Sequence, residues 1–98
     1  MSEDRLARAA AEGVRARELL ENDLLVGAFK GLEEAYTAAW RATLIDDVGA
    51  REKLFLAINV VGKVRDHLTA VVNNGKLAAT ELKELVETAE RRRRFGIL

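Results

Sequence analysis

The stretch LLVGAFKGLEEAYTAAWRATLIDDVG, residues 24–49, decides the fold that the sequence predicts. Its first part is a helix in which the larger apolar side chains recur at spacings of three and four residues, the pattern of one buried face. That stripe consists of Leu25, Phe29, Leu32, Tyr36 and Ala39 or Trp40. It carries most of the aromatic volume, so we expect it to form the main core wall, with Trp40 at its edge. Tyr36 and Trp40 lie four residues apart and could alternatively form a binding patch, because both residue types favour interfaces. Asp23 is placed to cap this helix.

The residues from Thr43 to Gly49 predict a turn. Asp46 and Asp47 can accept hydrogen bonds from the free amides at the start of the next helix, where the helix dipole also favours them. We expect that helix to reach about Val72. Its inner face is predicted to carry Leu54, Ile58, Val61, Val64 or Arg65, Leu68 and Val71 or Val72. A short connection favours antiparallel packing of the two helices.

The two ends complete the predicted fold. Residues 1–22 form an alanine-rich, weakly anchored N-terminal helix, and Asn73, Asn74 and Gly75 are typical of a helix end. A final helix is then expected from Lys76 or Leu77, presenting inward Ala78, Leu82, Leu85 and Ala89. Residues 1–98 are therefore predicted to be a single all-α domain, a small antiparallel helical bundle of three to four helices built on a central helical hairpin.

Composition narrows the classes of function. The 98 residues include 16 Lys plus Arg and 16 Asp plus Glu, so net charge gives no bias toward nucleic acid or membrane. No apolar run approaches the roughly 20 residues of a membrane span, and residues 1–8 lack the apolar core of a signal peptide. The absence of cysteine excludes disulfides and thiolate nucleophiles. We expect a soluble protein that stays where it is made.

The side chains predict no enzyme. With one histidine, His67, and one serine, Ser2, a catalytic triad cannot be assembled. Asp66 adjoins His67 in mid-helix, where neighbouring residues point in different directions. The acidic pairs at 33–34 and 46–47 lack the spaced oxygens of a calcium loop. We therefore predict no catalytic residue, no bound cofactor and no metal.

Two features predict interaction surfaces instead. Residues 91–98 form a basic-apolar tail, whose partner-binding candidates are Arg91, Arg92, Arg93, Arg94, Phe95, Ile97 and Leu98. Its guanidinium groups could hold phosphates or carboxylates, although pairing of Arg91 and Arg94 with acids four residues upstream also accounts for the run. The apolar end either docks on a partner or packs on its own bundle. Gly27, Gly31 and Ala35 form a small-residue line suited to close helix packing.

Three phrases carry a resemblance to a group of known proteins. LLENDLLVGAF (19–29), EEAYTAAWR (33–41) and VGKVRDHLTAVVNNGKLA (61–78) resemble small helical proteins encoded near the head and packaging genes of tailed bacteriophages and prophages. The resemblance covers residues 16–85. It implies a non-enzymatic structural or assembly protein, virion-associated or a packaging accessory, in the cytoplasm of the bacterial host with or without incorporation into the virion. Its implied partners are copies of itself and a larger phage head or connector component.

Two alternatives stay open at this point. A DNA-binding packaging or regulatory factor would also be small and helical, but Lys63, Arg65 and Lys76 are too sparse to indicate a recognition helix, so nucleic acid is the less favoured partner. An inhibitor of a host protein would likewise lack catalytic residues. Such inhibitors are often acidic when they mimic nucleic acid, and this chain is neutral.

Overall fold

The structure, a computed structural model, describes residues 2–95, without the side chain of Ser2. This part of the chain forms three helices, α1 (Ser2–Leu20), α2 (Asp23–Ala42) and α3 (Val48–Arg94), and contains no strand. The predicted all-α class is confirmed for these residues. Of the predicted tail residues, Ile97 and Leu98 lie outside the described part.

Helix α2 begins one residue earlier than predicted. The side-chain oxygen of Asn22, whose backbone is extended, accepts a hydrogen bond of 3.0 Å from the Leu25 amide. Asn22 is therefore the N-cap, and the assignment of the cap to Asp23 was wrong. Asp23 is instead the first helical residue, where a carboxylate still interacts favourably with the helix dipole.

The turn between α2 and α3 is held by side-chain hydrogen bonds. The Thr43 hydroxyl donates to the Trp40 carbonyl at 2.6 Å, and Arg51 Nη1 donates to Thr43 Oγ1 at 2.8 Å. An oxygen of Asp47 accepts from the Ala50 amide at 3.3 Å, which confirms the predicted capping role of this residue. These bonds fix the short connection that reverses the chain.

Helix α3 is longer than predicted. It runs without a break from Val48–Arg94, 47 residues, so the predicted helix end at Asn73, Asn74 and Gly75 and the separate final helix were wrong. The chain contains no proline to interrupt it. Gly75 serves a different purpose from ending a helix, because it lies where another helix crosses.

The chain divides into two compact units. Within the described residues, the first combines 2–17 with 70–95 and is called the crossing unit here; the second comprises 18–69 and is called the hairpin unit. Helix α3 contributes to both. Each unit is a pair of helices, so neither has a third layer to cover its remaining apolar faces.

The crossing unit is built on two glycines. A Cβ atom placed on Gly13 would lie 2.8 Å from Gly75 Cα, and one placed on Gly75 would lie 2.6 Å from Gly13 Cα. Such distances leave no room for a side chain, so the helix backbones are in contact. Ala16, Val72 and Ala78 are buried around this point. The N-terminal helix, predicted to be weakly anchored, thus has a defined packing site on α3.

The hairpin unit pairs α2 with the first part of α3. Contacts join Arg51 to Trp40, and Arg65 to both Glu33 and Phe29, so residue numbers fall along α2 as they rise along α3 and the helices are antiparallel. Most of the two predicted stripes is half-buried: Leu25, Phe29, Tyr36, Trp40, Leu54, Ile58, Val61, Arg65 and Leu68. Leu32 and Val64 are exposed. No residue from 18 to 69 is fully buried.

Candidate protein-interaction surfaces

The described residues leave most of their large apolar side chains in contact with solvent. The buried apolar residues are Ala16, Val72 and Ala78, so no buried side chain is larger than valine. Each of the two units leaves large apolar side chains in water, among them Leu24, which is 84% exposed in the hairpin unit, and Leu77, which is 70% exposed in the crossing unit.

An apolar cleft lies beside the turn of the hairpin unit. It has a volume of about 270 Å³ and is lined by Trp40, Ile45, Val48, Arg51, Glu52 and Phe55. Ile45 is 89% exposed and its neighbour Leu44 is 72% exposed, so the turn presents two consecutive large aliphatic side chains to solvent. The Arg51 guanidinium lies 4.7 Å from the centre of the Trp40 ring, a cation–π contact. Tryptophan and arginine are the residue types that most often anchor protein interfaces.

A polar contact crosses the middle of the hairpin unit. Arg65 Nη2 lies 2.7 Å from Glu33 Oε1, and the same guanidinium lies 5.5 Å from the centre of the Phe29 ring. The ion pair is not aligned as a hydrogen bond, so Glu33 Oε1 accepts none within the described part of the chain. Both side chains are about a third exposed, and such pairs contribute little to stability. We infer that the role of this contact is to align α2 with α3.

The predicted tail begins as helix. Arg91, Arg92, Arg93 and Arg94 form the last turn of α3, and all four are exposed, as is Phe95. No acidic oxygen of residues 2–95 lies within ion-pairing distance of these guanidiniums, so the pairs expected with Glu87 and Glu90 are not formed. Arg91 contacts the Thr88 hydroxyl at 3.5 Å instead. The turn thus presents four cations and an aromatic ring to solvent.

The predicted small-residue line does not pack against any other part of residues 2–95. Gly27, Gly31 and Ala35 are exposed on α2, and a Cβ atom built on either glycine meets no atom within 4 Å. The close crossing lies elsewhere, at Gly13 and Gly75. Contact of the α2 line with another molecule stays a prediction.

The described residues contain no candidate metal site. Among residues 2–95, no three histidine or acidic side chains are close enough to hold a metal ion. His67 is exposed on α3. No helix in the described range has an apolar stretch of the length and hydropathy that crossing a membrane requires.

Sequence reasoning indicated one residue of the turn cleft, Trp40, as part of a possible binding patch, but it did not identify the cleft. The further signals are two consecutive aliphatic residues, Leu44 and Ile45, inside a segment otherwise typical of a turn, and the position of Phe55 beside the predicted inner stripe of α3. The predicted sites do not converge on it, because the tail and the small-residue line lie at other places along the chain.

Comparison with known proteins adds no family assignment. No protein-family model matches the chain, and no match is found among curated proteins or among solved structures. The case for function therefore rests on the exposed apolar surfaces and on the arginine-rich turn of α3.

Proposed function

We propose that the chain is a non-enzymatic assembly protein that associates with copies of itself through its helices and docks through its tail on a larger component. The observation that carries this proposal is the large exposed apolar surface, together with the lack of any buried side chain larger than valine in residues 2–95. Burial of apolar surface drives most protein association. A surface of this kind therefore favours a protein whose stable form includes a partner.

Association would also supply the bundle that the sequence predicts. In a pair of helices, each helix buries one apolar stripe against the other, and the neighbouring apolar residues stay in water. A bundle of three or four helices instead encloses a core. We infer that the bundle is completed between molecules. The predicted single domain would then be the protomer of a larger helical assembly.

The phage setting rests on the resemblance of residues 16–85 alone. Within that setting the protein would act as a virion-associated component or packaging accessory in the bacterial host, with a head or connector component as the larger partner. Several copies around such a component would multiply weak tail contacts through effective concentration. The exposed turn from Arg91 to Arg94, with Phe95, is suited to that contact.

Molar mass measured by light scattering across protein concentration tests self-association. We expect a discrete oligomer at micromolar concentration, and a melting temperature that rises with concentration because dimers and higher oligomers are stabilised by mass action. The oligomer and the concentration dependence of its melting temperature should both persist at moderate salt, because salt screens charged contacts and these contacts are apolar. A helical monomer at every concentration would contradict the proposal.

The arginine-rich turn favours DNA binding as a second candidate, because its four guanidiniums have no acidic partner among residues 2–95. If the partner of the turn is a protein, we expect duplex DNA to bind the turn only weakly. For four phosphate contacts, the affinity for DNA should fall about 100-fold between 50 and 200 mM salt. Fluorescence anisotropy with a short labelled duplex measures this. The Arg92→Gln/Arg93→Gln double variant should halve the salt dependence. Tight binding that survives 200 mM salt would favour a DNA-binding factor instead.

A further inference from the structure

The turn cleft of the hairpin unit has apolar walls in contact with water. Ile45, Val48 and Phe55, three of its lining residues, are exposed by 89%, 60% and 57%. Its volume of about 270 Å³ suits one or two large side chains and is too small for a helix. The cleft is therefore a place where single side chains of a partner could be buried.

Carboxylates surround this cleft. Glu52 lines it, and Asp46 and Asp47 lie in the chain between two of its lining residues, Ile45 and Val48. All three acidic side chains are exposed. An apolar cleft with acidic residues at its rim favours a partner that carries positive charge beside a large apolar side chain.

The basic residues nearby do not neutralise the rim. Arg51 is the one base that lines the cleft, and its guanidinium is engaged by the Trp40 ring at 4.7 Å and by Thr43 Oγ1 at 2.8 Å. Arg41 lines a separate depression on α2. Lys53 lies roughly 150° around the axis of α3 from the middle of the lining positions. Three exposed carboxylates therefore stand against one guanidinium that is already engaged.

The end of α3 has the complementary chemistry. The residues from Arg91 to Arg94 are the longest run of like charge in the chain, and they are exposed without an acidic partner among residues 2–95. Phe95 follows them and is 69% exposed. Its ring can pack against the aromatic walls formed by Trp40 and Phe55, while the guanidiniums pair with the carboxylates of the rim.

These two features belong to opposite ends of one helix. The α3 residues that line the cleft lie in its first turns, from 48 to 55, and the arginines form its last turn. A continuous helix of 47 residues is about 70 Å long, at about 1.5 Å per residue. The arginine-rich turn therefore cannot reach the cleft of its own chain, whereas the cleft of a second copy is open to it.

We propose that the end of α3 in one copy, from Arg91 to Phe95, docks in the turn cleft of a second copy. The inference rests on the proposed function and deepens it, because it names a contact that joins copies in addition to their helix faces. The contact pairs two different surfaces, so it repeats head to tail. In an open row of copies, the last copy keeps its tail free for the larger component.

Trp40 provides a local readout, because it lines the cleft and is the only tryptophan of the chain. Its fluorescence emission should move to shorter wavelength as protein concentration rises, since a docked tail removes water from the ring. The measurement is made at low salt, because salt screens the charges that pair in this contact. Molar mass by light scattering is recorded on the same samples.

Charge reversal on either surface tests the contact with the full chain. The tail variant is Arg92→Glu/Arg93→Glu, and the cleft variant is Asp46→Lys/Glu52→Lys. All four residues are exposed, so the fold of the protomer has little reason to change. Helicity measured by circular dichroism verifies that each variant folds.

We expect the emission shift in the wild-type chain and in Arg5→Glu/Arg8→Glu, a control that makes the same change in net charge on exposed residues of α1. The dissociation constant of the contact should rise at least about 10-fold in the tail variant and in the cleft variant, because like charges then face each other. An equimolar mixture of these two variants should recover the shift. In that mixture the unaltered tail of one variant meets the unaltered cleft of the other.

The outcomes separate this contact from self-association as a whole. An emission shift that survives in either variant, that the mixture does not recover, or that the control also loses overturns docking of the tail in the cleft. Constant Trp40 emission while molar mass rises overturns the inference and leaves the proposed function standing. A wild-type monomer at every concentration contradicts the proposed function itself.

Discussion

Replacing Gly75 with alanine should lower the free energy of unfolding by about 3 kcal/mol, although alanine is the better helix former. The added Cβ would lie 2.6 Å from Gly13 Cα and 2.9 Å from the Ala9 carbonyl oxygen. These are backbone atoms, which cannot rotate away as a side chain can. Helix α1 must therefore move off α3, and the contacts of Ala16, Val72 and Ala78 loosen with it. Gly13→Ala should act in the same direction for the same reason.

Another glycine of the same helix provides a matched control. A Cβ atom on Gly62 meets nothing within 4 Å. Gly62→Ala should therefore raise stability by about 0.5–1 kcal/mol through helix propensity alone. Urea denaturation at one fixed protein concentration measures the three variants. If Gly75→Ala stabilised the chain as the control does, the close crossing would be refuted.

Replacing Asn74 with proline should cost about 3 kcal/mol or more. Asn74 lies in the interior of α3, where proline removes a backbone hydrogen bond and its ring collides with the carbonyl of the preceding turn. If the chain instead ended a helix there, as Asn73 to Gly75 suggest locally, proline would be accepted with little loss. The variant thus distinguishes one continuous helix from two, by urea denaturation with helicity as the readout.

Two substitutions calibrate this result. Asn74→Ala removes the same side chain but suits a helix better, so it should raise stability by a few tenths of a kcal/mol. Val48→Pro places proline at the first residue of α3, behind the Asp47 cap, a position where proline is common in helices. It should cost under about 1 kcal/mol. Equal losses at residues 48 and 74 would contradict a continuous α3.

Local signals were sufficient for much of the fold. The spacing of Leu25, Phe29 and Tyr36 predicts the inner face of α2, and Asp47 follows the usual chemistry of a helix cap. Such features depend on residues within one or two turns of each other. The interruption at Asn73 to Gly75 misled because asparagine and glycine are typical of helix ends as well as of close contacts. The two possibilities are distinguished only by Gly13, which contacts Gly75 in the structure and lies 62 residues away from it in the sequence.

The candidate surfaces were harder to predict for a related reason. A sequence pattern shows which residues are apolar, and the fold determines which of them find a neighbour. Gly27 and Gly31 have the spacing of a close crossing, yet the glycines in contact are Gly13 and Gly75. Leu32 and Val64 follow the predicted inner stripes but are exposed.

The glycine pair also fixes the register of α1 along α3. A shift of α1 by one helical turn would bring Gly13 opposite a residue with a side chain, and would set Gly75 against a side chain in place of the backbone of Gly13. Helix α1 therefore cannot slide gradually along α3 in either direction, and it packs on α3 in one register. It therefore has two states within the crossing unit, packed on α3 or detached from it. We expect the amide hydrogens of α1 to exchange with solvent together rather than turn by turn.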